Sequence, residues 1–438
     1  MRFYNRESEL QLLNEAVIRS EKRSQMTVLF GRRRIGKTLL ALKSVENNPH
    51  VYLFVGRKSE PLLCQEFISE IENSLGIKVH GEFKQFSKLL ELLLMESGKK
   101  AFTIILDEFQ DFQRINPGVF SDIQNCWDRH RNRSHVHLII SGSAHSLMKK
   151  IFEGQKEPLF GRADERIHLK PFPVKVIRQI MADHAPEWKP EDLLAFYVLT
   201  GGVAKYAEIF ADRGCFTLDG MLNEIFRENS LLIDEGRNLL IEELGKEYLT
   251  YFTILSLIAT SKTSRSEIES VLEKDAGGYL DRLEKEYSIL SAVKPIGAKP
   301  GGRQVRYRIE DHFLNFWFRF IYKYRSAVEI GNYQYIKNIV IRDFSTYSGR
   351  FLEKYFHDLL IQSGKYSAVG SWWDRKSQNE IDIIAVNEEL QTILIGDVKL
   401  NPAQLNLAKL KTRSALFLQA YPNYRVEWQG FSMEGLRD

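Results

Sequence analysis

The stretch that decides the fold of this chain is residues 31–38, Gly31-Arg32-Arg33-Arg34-Ile35-Gly36-Lys37-Thr38. It fits the pattern G-x-x-x-x-G-K-[ST], whose glycines let successive backbone N–H groups turn towards anionic oxygens. The lysine of the pattern places an ammonium against the β and γ phosphates of a nucleotide, and the threonine offers its hydroxyl to Mg²⁺. These eight residues, with Leu39 directly after them, are therefore predicted to form a phosphate-binding loop.

The sequence on either side of this loop supports the prediction. Residues 26–30 are a short apolar run typical of a buried parallel strand, and residues 39–42 continue as a helix. The N-terminus of a helix favours negative charge, so the phosphates gain from its dipole. The alternative, a glycine turn on a basic surface loop, does not account for this order of strand, loop and helix.

Composition sets wide limits on the function. A chain of 438 residues has room for two or three domains, and 44% hydrophobic with 27% charged residues is typical of a soluble protein. The net charge of +4 is too small to indicate nucleic-acid binding by itself. Three isolated cysteines indicate neither a zinc site nor a disulfide framework, and no membrane span or secretory segment is recognised. We therefore expect a cytoplasmic protein without a membrane partner.

Two acids follow a second apolar run and supply a partner for the loop. Residues 102–106 read as a central strand that ends in Asp107 and Glu108. Asp107 is predicted to hold Mg²⁺, and Glu108 to orient and polarise the attacking water. A strand followed by an ordinary acidic turn is the alternative, and the phosphate loop upstream favours the catalytic interpretation.

Two later segments supply further candidates. Residues 136–140 form a third apolar run that ends in Ser141-Gly-Ser143, and either serine contacts the γ-phosphate if the strands are neighbours. The alternative there is a simple Ser-Gly turn. Arg162 is predicted to stabilise transition-state charge, in cis or from a neighbouring subunit, with a solvated surface arginine as the alternative.

In this order the motifs resemble those of AAA+-type P-loop ATPases, in the prokaryotic, largely archaeal group related to the STAND and origin-recognition ATPases. The resemblance rests on Phe3-Tyr-Asn-Arg6-Glu7, the loop at 31–38, Leu106-Asp-Glu-Phe-Gln110, Ser141-Gly-Ser143, Pro158-Leu-Phe-Gly-Arg162 and Thr200-Gly-Gly-Val203. It implies ATP and Mg²⁺ as cofactors, a helical lid after the nucleotide fold, and a position near the adenine for Arg6. Lys205 stands where a second sensor usually carries arginine, and it keeps the charge without the planar fork.

Residues 244–310 predict a winged helix, with three helices followed by a hairpin at 289–293 and 305–309. The hairpin is basic, which suits contact with DNA phosphates. The DNA-binding candidates are Lys294, Lys299, Arg303, Arg306 and Arg308. The alternative is a charged hairpin that packs on a neighbouring domain. The aromatic run at 312–324 is predicted to be a buried spacer rather than a base-stacking platform.

The last hundred residues carry a second set of acids. Side chains alternate along a strand, so Glu380 shares a face with Asp382, and Asp397 shares a face with Lys399. If the two strands pair, the acids converge as hard oxygen ligands for Mg²⁺ or Mn²⁺, and Lys399 positions or deprotonates a water. Two amphipathic strands with a solvated polar face are the alternative.

This arrangement resembles the PD-(D/E)xK nuclease superfamily. The matching residues are Glu353 on a helix, Asp382 on the first strand, and Asp397-Val398-Lys399 on the second. The resemblance implies that Glu353, Asp382 and Asp397 are metal ligands and that Lys399 is catalytic.

Together these predictions give an α/β fold: a P-loop NTPase parallel sheet with a helical lid, an α+β winged helix and a small α/β restriction-endonuclease-like domain. The predicted boundaries are 1–170 for the ATPase core, 171–243 for the lid, 244–310 for the winged helix, 311–342 for a helical linker, and 343–438 for the nuclease-like domain.

The predicted function is ATP hydrolysis by an AAA+-type ATPase that acts on double-stranded DNA, with a metal-dependent endonuclease-like domain. The alternative is an ATP-controlled signalling or scaffolding switch that forms a homo-oligomer or binds a protein partner, and whose C-terminal domain binds without cutting. A small-molecule kinase is a third and weaker alternative, because the acid pair suits activation of a water better than transfer of phosphate to an acceptor.

Overall fold

The apolar runs at 26–30, 102–106 and 136–140 are strands of one parallel sheet in the computed structural model. The structure describes residues 1–244, 248–299, 301–302, 304–375 and 378–437. The chain divides into two compact units, residues 5–170 and residues 1–4 with 171–438. Each unit has its own hydrophobic core. None of the helices in the described ranges combines the length and the apolar character needed to cross a bilayer.

The unit of residues 5–170 is an α/β sheet with five parallel strands. The strands are β1 (Gln25–Phe30), β2 (His50–Phe54), β3 (Phe102–Asp107), β4 (Val136–Ser141) and β5 (Glu165–His168). The helices are α1 (Glu7–Ser20), α2 (Lys37–Val45), α3 (Glu60–Leu75), α4 (Phe86–Glu96), α5 (Phe112–Ile115), α6 (Val119–His130) and α7 (His145–Glu153). Every residue of β1, β3 and β4 is buried, which is why these strands read as continuous apolar runs rather than alternating ones.

The strand order β2-β3-β4-β1-β5 positions the candidate site. Because the strands are parallel, their carboxyl ends meet at one edge of the sheet. β4 pairs with β3 on one side and with β1 on the other. The phosphate loop after β1, the acids after β3 and the serines after β4 therefore lie at the same edge, as the prediction required.

The described residues between 171 and 310 form helices and one hairpin, joined by turns and loops. The helices are α8 (Val174–His184), α9 (Pro190–Thr200), α10 (Ala204–Asp212), α11 (Leu218–Ile225), α12 (Glu235–Leu244), α13 (Tyr248–Ala259), α14 (Arg265–Leu272) and α15 (Gly277–Asp281), which a π-helical turn (Arg282–Glu286) extends. Ser264 and Glu267 form a capping box that fixes the start of α14. The antiparallel strands β6 (Leu290–Val293) and β7 (Arg306–Ile309) form the predicted hairpin.

The aromatic run after the hairpin is buried, as predicted. It comprises α16 (His312–Phe316) and a π-helical segment (Trp317–Tyr322), and Phe313, Phe316 and Phe318 are fully enclosed. After the short α17 (Arg325–Glu329), one continuous helix of 30 residues, α18 (Tyr333–Gln362), leads into the C-terminal strands. The boundary predicted at 342/343 therefore falls inside a helix.

The C-terminal segment is a four-stranded sheet in the order β11-β10-β9-β8 with helices α18 and α19 (Leu407–Leu418). Its strands are β8 (Ala368–Trp373), β9 (Glu380–Asn387), β10 (Thr392–Lys399) and β11 (Arg425–Ser432). The strands β8, β9 and β10 are antiparallel, and β11 is parallel to β10. The pairing of β9 with β10 is the condition under which the acids at 382 and 397 were predicted to converge.

Candidate functional site

The backbone of the phosphate loop turns through conformations that favour glycine. Gly31 has φ +150° and Gly36 has φ +96°, and a Cβ on Gly31 would lie 3.0 Å from the carbonyl oxygen of Leu169. Lys37 opens α2 and is buried, and its Nζ donates to the carbonyls of Gly31 (2.9 Å) and Arg32 (3.0 Å). The Lys37 ammonium thus lies over the loop and is already desolvated, which favours its contact with an anionic group.

The other loop residues divide by exposure. Ile35 is buried and anchors the loop, whereas Leu39 is exposed. Arg32, Arg33 and Arg34 are half-buried. Arg34 also has a positive φ of 69°, a conformation that costs a non-glycine residue on the order of 1 kcal/mol or more and is therefore held by its surroundings.

Asp107 is the centre of a hydrogen-bonded cluster below the loop. Its Oδ2 accepts from the Thr38 hydroxyl at 2.6 Å and from the Tyr52 hydroxyl at 3.0 Å, and its Oδ1 accepts from the Ser141 hydroxyl. Threonine hydroxyl and carboxylate are hard oxygen donors, and Mg²⁺ is commonly held by one or two such groups together with substrate phosphates. Thr38 and Asp107 therefore fit the predicted magnesium ion.

Tyr52 was missed by sequence reasoning. Burial, the Asp107 carboxylate and the hydrogen bond to it raise the pKa of the Tyr52 hydroxyl well above its ordinary value, so this group stays a donor. The only available signal was its place in the short apolar and aromatic run that forms β2.

Glu108 lies next to Asp107 in a strained backbone conformation. Its φ is 55°, in the left-handed region. One carboxylate oxygen, Oε2, accepts from the Ser143 hydroxyl at 2.6 Å and from the Gln110 side-chain amide. Ser143 and Gln110 thus orient the carboxylate, and Gln110 was not among the predicted site residues.

The two arginines predicted near the nucleotide have partners of their own. Arg6 is buried with φ 94°, and its guanidinium donates to the Lys170 carbonyl at 2.8 Å. Burial lowers the pKa of Arg6 below its ordinary value. Arg162 forms an ion pair with Asp128 at 3.0 Å, so its predicted role requires that it leave this carboxylate.

The lysine at the second-sensor position is exposed. Lys205 pairs with Glu208 at 2.7 Å on α10.

The C-terminal acids meet around Lys399. The Nζ of Lys399 lies 3.3 Å from Asp382 and 3.1 Å from Asp397, and the backbone N–H of Val398 donates to Asp382 at 2.8 Å. Arg413 of α19 donates to Asp397 at 2.7 Å. Asp397 is only 2% exposed and is held by two cations, of which Arg413 was not predicted.

Glu353 faces this cluster from α18. Burial and the Asp382 carboxylate raise the pKa of Glu353 to about 7, and burial also raises the pKa of Asp382. A buried carboxylate whose pKa is raised by a neighbouring carboxylate is a site where a cation would be favourable. Because Mg²⁺ needs only one or two protein carboxylates when it also binds phosphate, Glu353 and Asp382 fit a metal ion.

The three-acid metal site predicted at Glu353, Asp382 and Asp397 is not assembled. Across the described ranges, no group of three or more His, Cys, Asp and Glu side chains is placed to hold a metal ion. The physical reason is that Lys399 and Arg413 already neutralise Asp397.

His357 is a neighbour of this cluster that sequence reasoning missed. Its Nε2 lies 2.8 Å from the backbone carbonyl of Asp382, to which it donates, and burial lowers the pKa of His357 to about 4. The imidazole is therefore neutral at pH 7. The signal available in the sequence was its spacing of four residues from Glu353, which puts both side chains on one helix face.

The basic hairpin does not present all its charges to solvent. Arg306 forms an ion pair with Glu380 at 2.5 Å and stacks over the Trp373 ring at 4.3 Å, and Arg308 is half-buried. Lys294 and Lys299 are exposed. For Arg306 the structure matches the alternative of a hairpin that packs on a neighbouring element; Arg303 lies outside the described residues.

Comparison with known proteins gives matches for both ends of the chain. Residues 3–209 match the model of an ATPase domain predominantly from Archaea, and residues 317–411 match a family of archaeal and bacterial proteins of unknown function. An uncharacterized protein of Methanocaldococcus jannaschii is 31% identical over 407 residues, which are 91% of this chain and 87% of that protein.

Among solved structures, a Walker-type ATPase of Pyrococcus abyssi is similar with a TM-score of 0.55 at 17% identity. The match covers 72% of this chain and 96% of the Pyrococcus chain, and it shows a shared fold. The chain therefore belongs to the same family as the Methanocaldococcus jannaschii protein, and its residues 3–209 form a P-loop ATPase domain of the predominantly archaeal type.

Proposed function

We propose that the protein hydrolyses ATP at the edge of the parallel sheet as an AAA+-type ATPase, and that hydrolysis controls an action on DNA. The observation that carries the first part is the pair of hydrogen bonds from Thr38 to Asp107 and from Ser143 to Glu108. These bonds join the loop after β1, the acids after β3 and the serine after β4 into one polar cluster.

Each residue of the cluster has a role that its chemistry supports. Lys37 would bind the β and γ phosphates, and Thr38 with Asp107 would hold Mg²⁺, which supplies charge neutralisation when bound. Glu108 would accept a hydrogen bond from the attacking water and take up its proton. Ser143 holds the Glu108 carboxylate in place and is also the candidate contact to the γ-phosphate.

The role of Asp107 gives a direct test. Replacing Asp107 by Asn removes half of the proposed magnesium site while conserving shape, so we expect phosphate release from ATP to fall at least tenfold. Asp111→Asn is the matched control, because Asp111 pairs with Arg57 instead. Turnover that does not need Mg²⁺, or that survives in Asp107→Asn, would contradict the proposal.

For the C-terminal segment we propose a metal-dependent nuclease-like function on double-stranded DNA. It is supported by the contact of Lys399 with Asp382 and Asp397 and by the position of Glu353 opposite Asp382. Lys399 would position a water or neutralise the charge that develops on the scissile phosphate, and Asp382 with Glu353 would hold the metal ion.

The neutralisation of Asp397 by Lys399 and Arg413 supports the alternative, a switch whose C-terminal segment binds without cutting. Incubation of labelled duplex DNA with Mn²⁺ distinguishes the two. The nuclease is supported if the unaltered protein cleaves the DNA and Lys399→Ala does not. Lys409 is an exposed lysine of α19, so Lys409→Ala should still cleave. Intact DNA, together with an oligomeric state that differs between ADP and a non-hydrolysable ATP analogue, supports the switch.

A further inference from the structure

A cavity of about 780 Å³ lies between the basic hairpin and the C-terminal sheet. Its walls are formed by β7 of the hairpin, one face of α18, and the start of β8 and β9. Glu353 lines this cavity and also faces Asp382, so the cavity adjoins the acidic cluster. Its volume is within the range of sites that enclose a ligand of nucleotide size.

Several charges on the cavity wall are already paired. Arg306 binds Glu380, and Lys354 binds Asp358 at 3.2 Å. Glu267 accepts the backbone N–H of Ser264 as part of a helix cap. These groups are satisfied and do not call for a ligand.

Three residues on the same wall carry hydrogen-bond donors that lack a partner in the described ranges. Arg308 is half-buried, and the Glu353 carboxylate attracts its charge, but it makes no hydrogen bond and no ion pair within 4 Å to any residue in the described ranges. Arg350 donates to Asn315 through one terminal nitrogen, while its buried Nε has no partner there. Ser371 is 4% exposed, and its buried Oγ likewise has no partner among those residues.

Unpaired donors that are shielded from water are costly, and each of these three residues lines a cavity large enough to hold an acceptor. Two guanidinium groups and one hydroxyl suit the oxygens of a phosphate. The guanidinium group is planar, and its hydrogen bonds to phosphate are charge-assisted. Ile258, Ile296 and Val369 provide apolar wall for the rest of a nucleotide.

We propose that this cavity binds a phosphate group of one nucleic-acid strand, with Arg308 as its principal ligand and Arg350 and Ser371 as further donors. The hairpin thus supplies a substrate-binding residue to the acidic cluster on α18 and β9. This inference rests on the proposed nuclease-like function for the identity of its ligand.

The test measures binding without cleavage. A short fluorescent single-stranded oligodeoxynucleotide is titrated in EDTA into the full chain carrying Lys37→Ala, so that neither metal nor the phosphate loop contributes. In that background we expect Arg308→Gln to weaken binding about tenfold and to lower the salt dependence by about one phosphate contact. Arg308→Lys is expected to be intermediate, since it keeps the charge without the fork.

Two further variants keep the test decisive. Ser371→Ala removes a hydroxyl that has no protein partner in the described ranges, so folding is preserved while binding weakens. Arg425→Gln removes the same charge from an exposed position outside the cavity and is expected to bind normally. ATP turnover measured with Lys37 intact is expected to be unchanged by Arg425→Gln.

Equal affinity in Arg308→Gln and the parent protein, or an equal loss in Arg425→Gln, would overturn the inference. Arg308-dependent binding of inorganic phosphate without binding of the oligonucleotide would overturn the identity of the ligand. Cleavage that persists at the normal rate in Arg308→Gln would overturn the inference and leave the nuclease proposal standing. Arg308-dependent binding by a protein that never cleaves would support the inference and remove the nuclease proposal.

Discussion

The two polar clusters of this chain differ in what neutralises their acids. At the edge of the parallel sheet, Asp107 and Glu108 are held by the neutral hydroxyls of Thr38 and Ser143. In the C-terminal segment, Asp397 is held by the cations Lys399 and Arg413. Asp107 and Glu108 form no ion pair with a residue of the described ranges, whereas Asp397 in the second cluster pairs with two cations. This difference favours binding of a metal ion and phosphate at the first cluster over the second.

The largest expected effect concerns the first cluster. Lys37→Ala removes a buried ammonium from the loop, so we expect the affinity for ATP to fall about 100-fold, which is the loss of one or two charge-assisted hydrogen bonds. Calorimetric titration with a non-hydrolysable ATP analogue measures it. Lys43→Ala is the control on the same helix, because Lys43 is exposed and pairs with Glu46. A Lys37→Ala protein that binds the analogue normally would remove the distinction between the clusters.

Because of Glu353, the second cluster is expected to make the free energy of unfolding depend on pH. The pKa of the Glu353 carboxyl is raised from 4.5 to about 7 in the folded chain, so its stabilising contribution is complete below pH 4.5 and is lost as the pH rises through 7. We expect Glu353→Gln to increase the free energy of unfolding by about 1–3 kcal/mol at pH 8 and by little near pH 5. Urea denaturation at both pH values measures it, with the exposed Glu389→Gln as control. A lower free energy of unfolding for Glu353→Gln at pH 8 would show that the surroundings of Glu353 already stabilise its ionised carboxylate.

A smaller effect is expected from the residue that sequence reasoning missed in the first cluster. Tyr52→Phe removes one hydrogen bond to Asp107, so ATP turnover should fall about fivefold, equivalent to about 1 kcal/mol. The Mg²⁺ concentration for half-maximal turnover should rise in parallel. Tyr366→Phe, far along the chain in the other unit, serves as control. Unchanged turnover and metal dependence in Tyr52→Phe would mean that Thr38 and Ser141 suffice to hold Asp107.

Residues that belong to one continuous motif were predictable. The loop at 31–38, the acids after β3 and the serines after β4 each follow a buried run, and parallel pairing brings such ends together without further information. The strands that carry Asp382 and Asp397 were predictable for a different reason, the alternation of polar and apolar residues along β9 and β10, which pair as antiparallel strands.

What the sequence did not reveal comes from elements distant in the chain. Tyr52 and Arg413 reach their carboxylates from β2 and α19, and nothing in their local pattern distinguishes them from packing or surface residues. The boundary at 342/343 follows the extent of the nuclease-like resemblance, but α18 continues through it because helix formation depends on local backbone geometry and not on domain membership. The inward position of Arg306 depends on Glu380, which lies 74 residues away.

We propose that Glu108 activates the water that attacks ATP bound at the phosphate loop. The most direct measurement compares ATP binding with single-turnover hydrolysis in Glu108→Gln. This change keeps the shape of the side chain and removes its basicity, so binding should be retained while hydrolysis falls about 100-fold or more. Hydrolysis at the unaltered rate in a Glu108→Gln protein that binds ATP normally would contradict the account.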